Sequence, residues 1–193
     1  MDEAVSAGEQ SIAAARPDAS ELPELRLGHA LTLRERHERD GLAADAEAVI
    51  DTCRDVAATG RTLGNRLDAG VTWARTAGEI GRWVDAVEGY RQAIAELPSV
   101  AWIGLRRADR ERIVVDRGQG LAREAAAAAV LAGDPEAALE SLEHGRAILW
   151  SQLVHPDDDL ARLTATDPAL AADVDRLRAE IAVFDQGNDI PLG

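Results

Sequence analysis

Several places in the chain bring together side chains whose types and spacing could do chemistry. His155-Pro-Asp-Asp-Asp159 sets an imidazole beside three carboxylates, a donor set that could hold a divalent cation. Proline separates the histidine from the acids, and Asp157, Asp158 and Asp159 stand where a helix start favours negative charge. Capping is therefore the expectation. Ile113-Val-Val-Asp-Arg-Gly-Gln-Gly-Leu-Ala-Arg123 has the outline of a strand, a Gly-x-Gly turn and a helix, as at a dinucleotide site. Arg123 stands where the third glycine would be, and no further strands alternate with helices, so a helix interrupted at Gly118 and Gly120 fits better. Cys53 is the single cysteine, which rules out an intrachain disulfide or a thiolate cluster. It falls on the apolar face of a predicted helix, where a thiol packs as a small hydrophobe. His29, His37 and His144 have no metal-ligand spacing with one another or with Cys53. No catalytic residue, no cofactor and no metal site is expected, and the chain reads as a binding protein rather than an enzyme.

The basic side chains say as much by their type. All 21 are arginine, so a phosphate-loop lysine, a Schiff-base lysine and a kinase lysine are each excluded. Their densest run is Arg106-Arg-Ala-Asp-Arg-Glu-Arg112, where Arg107 and Glu111 are spaced for an intrahelical pair. A solvated helix face explains it, with a docking patch for an acidic partner as the alternative. The net charge is −14 and the pI near 4.6, which sets the chain against nucleic acid and anionic membranes. The N-terminus has no apolar run of signal-peptide length, and no stretch approaches the roughly 18 apolar residues of a membrane span. A cytoplasmic protein is expected.

The elements that must carry these residues are all helices. Alanine is the commonest residue, aromatics are few and β-branched runs are almost absent. Periodicity and stop signals predict helices over 2–15, 24–39, 43–58, 65–79 and 83–96, the last stopped by Pro98. Further helices are predicted over 105–132 with a break at 118–120, over 134–154 from the Asp134-Pro135 start, over 158–164, and from Asp167-Pro168 to about 184. Trp73 and Trp150 fall on expected core faces, whereas Trp83 and Trp102 lie near turns and are candidate partly exposed anchors for a partner.

Two stretches repeat one pattern. Gly81 to Pro98 and Gly133 to Leu149 each open on a glycine turn, then place small and large residues at matching helical offsets. Hairpins of this kind cannot bury their apolar faces alone and stack into a right-handed solenoid. The markers Ala4, Ala48, Ala86 and Ala138 recur unevenly, at steps wider than the about 34 residues of a regular tetratricopeptide array. Residues 2–15 look like the second helix of a hairpin whose first is missing. Either the chain is a piece of something longer, or that end is covered, for example by its twin in a homodimer. The organisation expected is about three and a half hairpins over 1–154, a C-terminal helical cap or linker helix over 155–186, and a frayed tail over 187–193.

The inner hairpins resemble tetratricopeptide repeats through Ala74, Gly81, Ala86, Tyr90, Ala93 and Pro98, then Ala126, Gly133, Ala138, Leu142 and Gly145. Gly70, Ala77 and Ala129 depart from that pattern. Leu97-Pro98, Ala101-Trp102, Arg107 to Arg112 and Glu143 to Leu153 are similar to bacterial proteins that join such repeats to a caspase-like CHAT peptidase domain. The resemblance implies an all-α, tetratricopeptide-like solenoid that binds a peptide or partner domain, as the regulatory or sensor region of a CHAT-type protein. It implies no peptidase activity here, because no cysteine follows Cys53. In the tetratricopeptide pattern the first helix of each hairpin lines the concave groove, which would bring His29, Arg75, Glu79 and Arg123 to it. Arginines there would fork onto a peptide carboxylate. Two alternatives stay open: a small all-α enzyme with a carboxylate-based site, and a structural homo-oligomer.

Overall fold

A computed structural model describes residues 1–102, 119–154 and 158–187 of the chain. Among these residues every regular element is a helix. In order they are α1 (Asp2–Ala14), α2 (Leu22–Asp40), α3 (Ala43–Thr59), α4 (Leu63–Glu79), α5 (Trp83–Trp102), α6 (Gln119–Leu131), α7 (Pro135–Val154), α8 (Asp158–Thr166) and α9 (Pro168–Gly187). From α1 to α7 each helix packs antiparallel on the next, and α8 packs on α9. Second neighbours also touch: α2 with α4, α3 with α5, and α5 with α7. The protein is therefore an all-α stack of sequential hairpins, and no helix among the described residues is long and apolar enough to cross a membrane.

The turns follow from local chemistry. Gly41, Gly81 and Gly133 are the three described residues with positive φ, at 70°, 76° and 79°, a conformation that costs glycine nothing and other residues about 1–2 kcal/mol. The last two close helices in the same way. Arg82 donates its backbone N–H to Ala77 O at 2.8 Å, and Asp134 donates to Ala129 O at 2.9 Å, the long-range bond of a Schellman cap. Ala77 and Ala129, both departures from the repeat pattern, are thus equivalent positions, each fully buried. Asp134 Oδ1 accepts from Ala137 N at 2.9 Å and Asp167 Oδ1 from Leu170 N at 3.0 Å, so both Asp-Pro pairs start helices as expected.

Pro98 does not stop its helix. α5 runs on to Trp102 with the proline inside it. Proline deletes one backbone bond, yet the turn that it weakens is held by Ile94 and Leu97, which are 4% and 1% exposed. Residues 103–118, with the Arg106–Arg112 run and Gly118, lie outside the described residues, as do His155–Asp157 and 188–193.

One core runs from Val5 of α1 to Leu121, Ala125 and Ala128 of α6, with Ile50, Cys53, Leu67 and Leu97 fully buried in it. Trp73 lies in this core, 3% exposed, with the Arg54 guanidinium 5.0 Å over its ring. Trp83 is half-buried and packs on Gly78. The α4–α5 crossing is unusually close. A Cβ on Gly89 would stand 2.8 Å from Ala74 N, and one on Gly70 would stand 3.0 Å from Ala93 N. Gly70 departs from the bulky residue of the repeat pattern because two backbones meet there. Beyond α6 the packing thins to Ala126, Ala129 and Ala138, while Val130, Leu131, Leu139 and Leu142 are exposed.

Candidate functional site

Arginine forks join the helices. Arg36 on α2 holds the buried carboxylate of Asp45 on α3 through Nε at 2.7 Å and Nη2 at 2.8 Å, and reaches Asp2 on α1 at 3.2 Å. The Arg36 hydrogen bonds keep the Asp45 carboxyl below its usual range against the opposing effect of burial. Arg66 grips Glu96 the same way across α4 and α5, at 2.9 and 2.8 Å. Arg82 pairs with Asp85 and with Glu47 of α3. Arg34 on α2 meets Glu79 on α4 at 2.6 Å.

The fork that shapes a cavity is Arg75–Glu124. Arg75 on α4 donates Nε and Nη2 to Glu124 on α6, each at 3.0 Å, and Tyr90 Oη on α5 donates to the same carboxylate at 2.9 Å. Beside them α4 contributes Leu67, Asp68 and Val71, and α6 contributes Gly120 and Leu121, around a cavity of about 320 Å³. On α4, Asp68, Val71 and Arg75 are three and four residues apart, so one helix face supplies that wall. Arg75 holds the Glu124 carboxyl below its ordinary range, with Tyr90 helping. Burial, then the bond to Glu124, pushes the Tyr90 phenol up. The site thus consists of a fixed ion pair above an apolar floor, with a carboxylate kept charged.

The four expected groove residues fall in different places. Arg75 lines the cavity. Glu79, one turn further along α4, is exposed and engaged by Arg34. Arg123 is exposed on α6 and points away from the cavity that its neighbour Glu124 lines. His29 lies against α1, where a Cβ on Gly8 would stand 2.5 Å from its Nδ1, so it belongs to the α1–α2 contact. Its Nδ1 is buried without a partner. Sequence reasoning missed Glu124, Tyr90's hydroxyl and Asp68. The spacing Gly120, Leu121, Glu124, one helix face, was the available signal.

A second, more apolar cavity of about 180 Å³ lies between α5 and α7, walled by Val87, Ile94 and Ala137 with His144 at its edge. Cys53 is buried, and desolvation raises its thiol pKa to about 12. Among the described residues no three His, Cys, Asp or Glu side chains gather as a metal site. The chain matches no protein-family model, and no curated protein is similar enough to count as a relative.

Proposed function

We propose that the chain is a protein-binding scaffold, a tetratricopeptide-like solenoid whose first-position helices α2, α4 and α6 border a groove for a peptide or partner domain. The observation that carries this is the cavity between α4 and α6, two non-consecutive helices bridged by Arg75 and Glu124. The matching Gly81 and Gly133 turns and the contacts between alternate helices support the solenoid. The favoured setting is the cytoplasmic regulatory or sensor region of a CHAT-type protein, on the resemblance carried by residues 97–153.

The test is capture from a lysate of the encoding organism by the wild-type chain and by Gly120→Leu. Gly120 lines the cavity, and a Cβ there meets nothing within 4 Å among the described residues, so leucine extends into the cavity. A partner retained by the wild type and lost by the variant supports the groove. Equal retention rejects it. A homo-oligomer built through α1 would instead register in light scattering as a dimer that becomes a monomer without residues 1–16. For an enzyme, a carboxylate held ionised like Glu124 is the opposite of a general acid.

A further inference from the structure

The geometry points to a cationic peptide as the occupant of the α4–α6 groove, carrying an arginine or lysine beside a bulky apolar residue. This rests on the scaffold function and names the chemistry of its partner.

The arginine of the cavity is already engaged. Arg75 gives Nε and Nη2 to Glu124 at 3.0 Å each. A ligand carboxylate would have to displace a carboxylate that is held by three hydrogen bonds, one of them from Tyr90 at 2.9 Å. Glu124, by contrast, has capacity left. An ionised carboxylate offers about four acceptor positions. Arg75 and Tyr90 fill two on Oε2, and Arg75 fills one on Oε1. Among the described residues no further donor takes the remaining position. An ammonium or guanidinium would complete it with a charge-assisted bond. Asp68 stands on the same wall, already engaged, and adds negative charge rather than a vacant acceptor.

The surroundings favour the same sign. With 35 acidic residues against 21 arginines the chain's field draws cationic segments in and repels acidic ones. Leu67, Val71 and Leu121 provide the apolar floor for the neighbouring side chain of the peptide. An acidic C-terminus, which an unpaired Arg75 would have suited, finds no vacant cation among the lining residues.

The experiment screens the full chain and Gly120→Leu against a displayed library of random dodecapeptides. The best wild-type sequence is then resynthesised with its charge reversed, and both peptides are titrated by fluorescence anisotropy. The expected result is enrichment of Arg or Lys beside Leu, Ile or Val, lost in Gly120→Leu, with charge reversal weakening binding about tenfold or more, as for one lost charge-assisted bond. Circular dichroism melts check that the variant folds, and Gly120→Ala, a smaller filling, serves if leucine lowers the melt. Enrichment of acidic peptides that Gly120→Leu abolishes overturns the cationic partner and leaves the groove standing. Enrichment indifferent to Gly120, or none at all, overturns the groove and the cationic partner together.

Discussion

Arg75 and Glu124 face each other through two parallel hydrogen bonds of 3.0 Å, and the carboxylate also receives the hydroxyl of Tyr90. Three of the described helices, α4, α5 and α6, therefore meet at a single side chain. Bidentate geometry fixes both distance and orientation, so this pair sets the width of the cavity beside it.

Replacing Glu124 with glutamine removes the charge but keeps an amide oxygen for Tyr90. That oxygen still accepts from Arg75 Nε, while Arg75 Nη2 loses its acceptor and faces the new amide N–H2, donor against donor. The pair is partly exposed, with side-chain accessibilities of 46% and 38%, so the loss in stability is expected to be about 0.2–1 kcal/mol. The larger effect is on preference. Glu124→Gln should move binding toward the charge-reversed, acidic peptide in the anisotropy titration. Tighter binding of the cationic peptide by this variant would contradict the assignment.

Gly89 and Gly28 are both helical glycines with opposite surroundings. A Cβ on Gly89 would stand 2.8 Å from Ala74 N and 3.0 Å from its Cα, both backbone atoms, whereas one on Gly28 meets nothing within 4 Å. Gly89→Ala should cost about 1–3 kcal/mol by forcing α4 and α5 apart. Gly28→Ala should gain about 0.5–1 kcal/mol from helix propensity. Urea unfolding midpoints of the two variants should move in opposite directions.

Acid should weaken the α2–α3 contact. Asp45 has its carboxyl pKa lowered by Arg36 in the folded chain. A carboxyl with a depressed folded pKa contributes stability that is complete above its unfolded value of about 3.9 and is lost as pH falls through the folded value. Asp45→Asn should therefore melt below the wild type at pH 7, and the gap should shrink as the pH is lowered through about 4 toward 2. A gap that stays constant over that range would count against the pairing.

Cys53 is inert while the chain is folded. It is fully buried and its thiol is raised to about 12, so at neutral pH almost none is thiolate, the reactive form. Labelling by an aromatic disulfide at pH 8 should proceed only through opening of the α2–α4 core, and denaturant should accelerate it in step with unfolding. Rapid native-state labelling would be inconsistent with this burial.

Most of the helices were legible because their ends are local events. Gly41, Gly81 and Gly133 terminate helices through their own backbone freedom, and Asp134 and Asp167 start helices by capping amides three residues on. Pro98 was misread because its effect is not purely local. Buried Ile94 and Leu97 hold the turn that proline weakens.

The sequence by itself determined that the chain is helical, that its helices follow one another in short-turned pairs, and that Cys53 packs as a hydrophobe. Helical periodicity also put Asp68, Val71 and Arg75 on one face. It could not say which neighbour that face would meet, because 3.6-residue spacing fixes direction around an axis and not the rotation or distance of the next axis. Those were decided by packing: Gly70 and Gly89 let α5 press onto α4, α6 docks against α5, and Glu124 arrives opposite Arg75. The same docking turned His29 toward Gly8 and gave Glu79 to Arg34. Which arginine meets which acid is a property of the assembled helices.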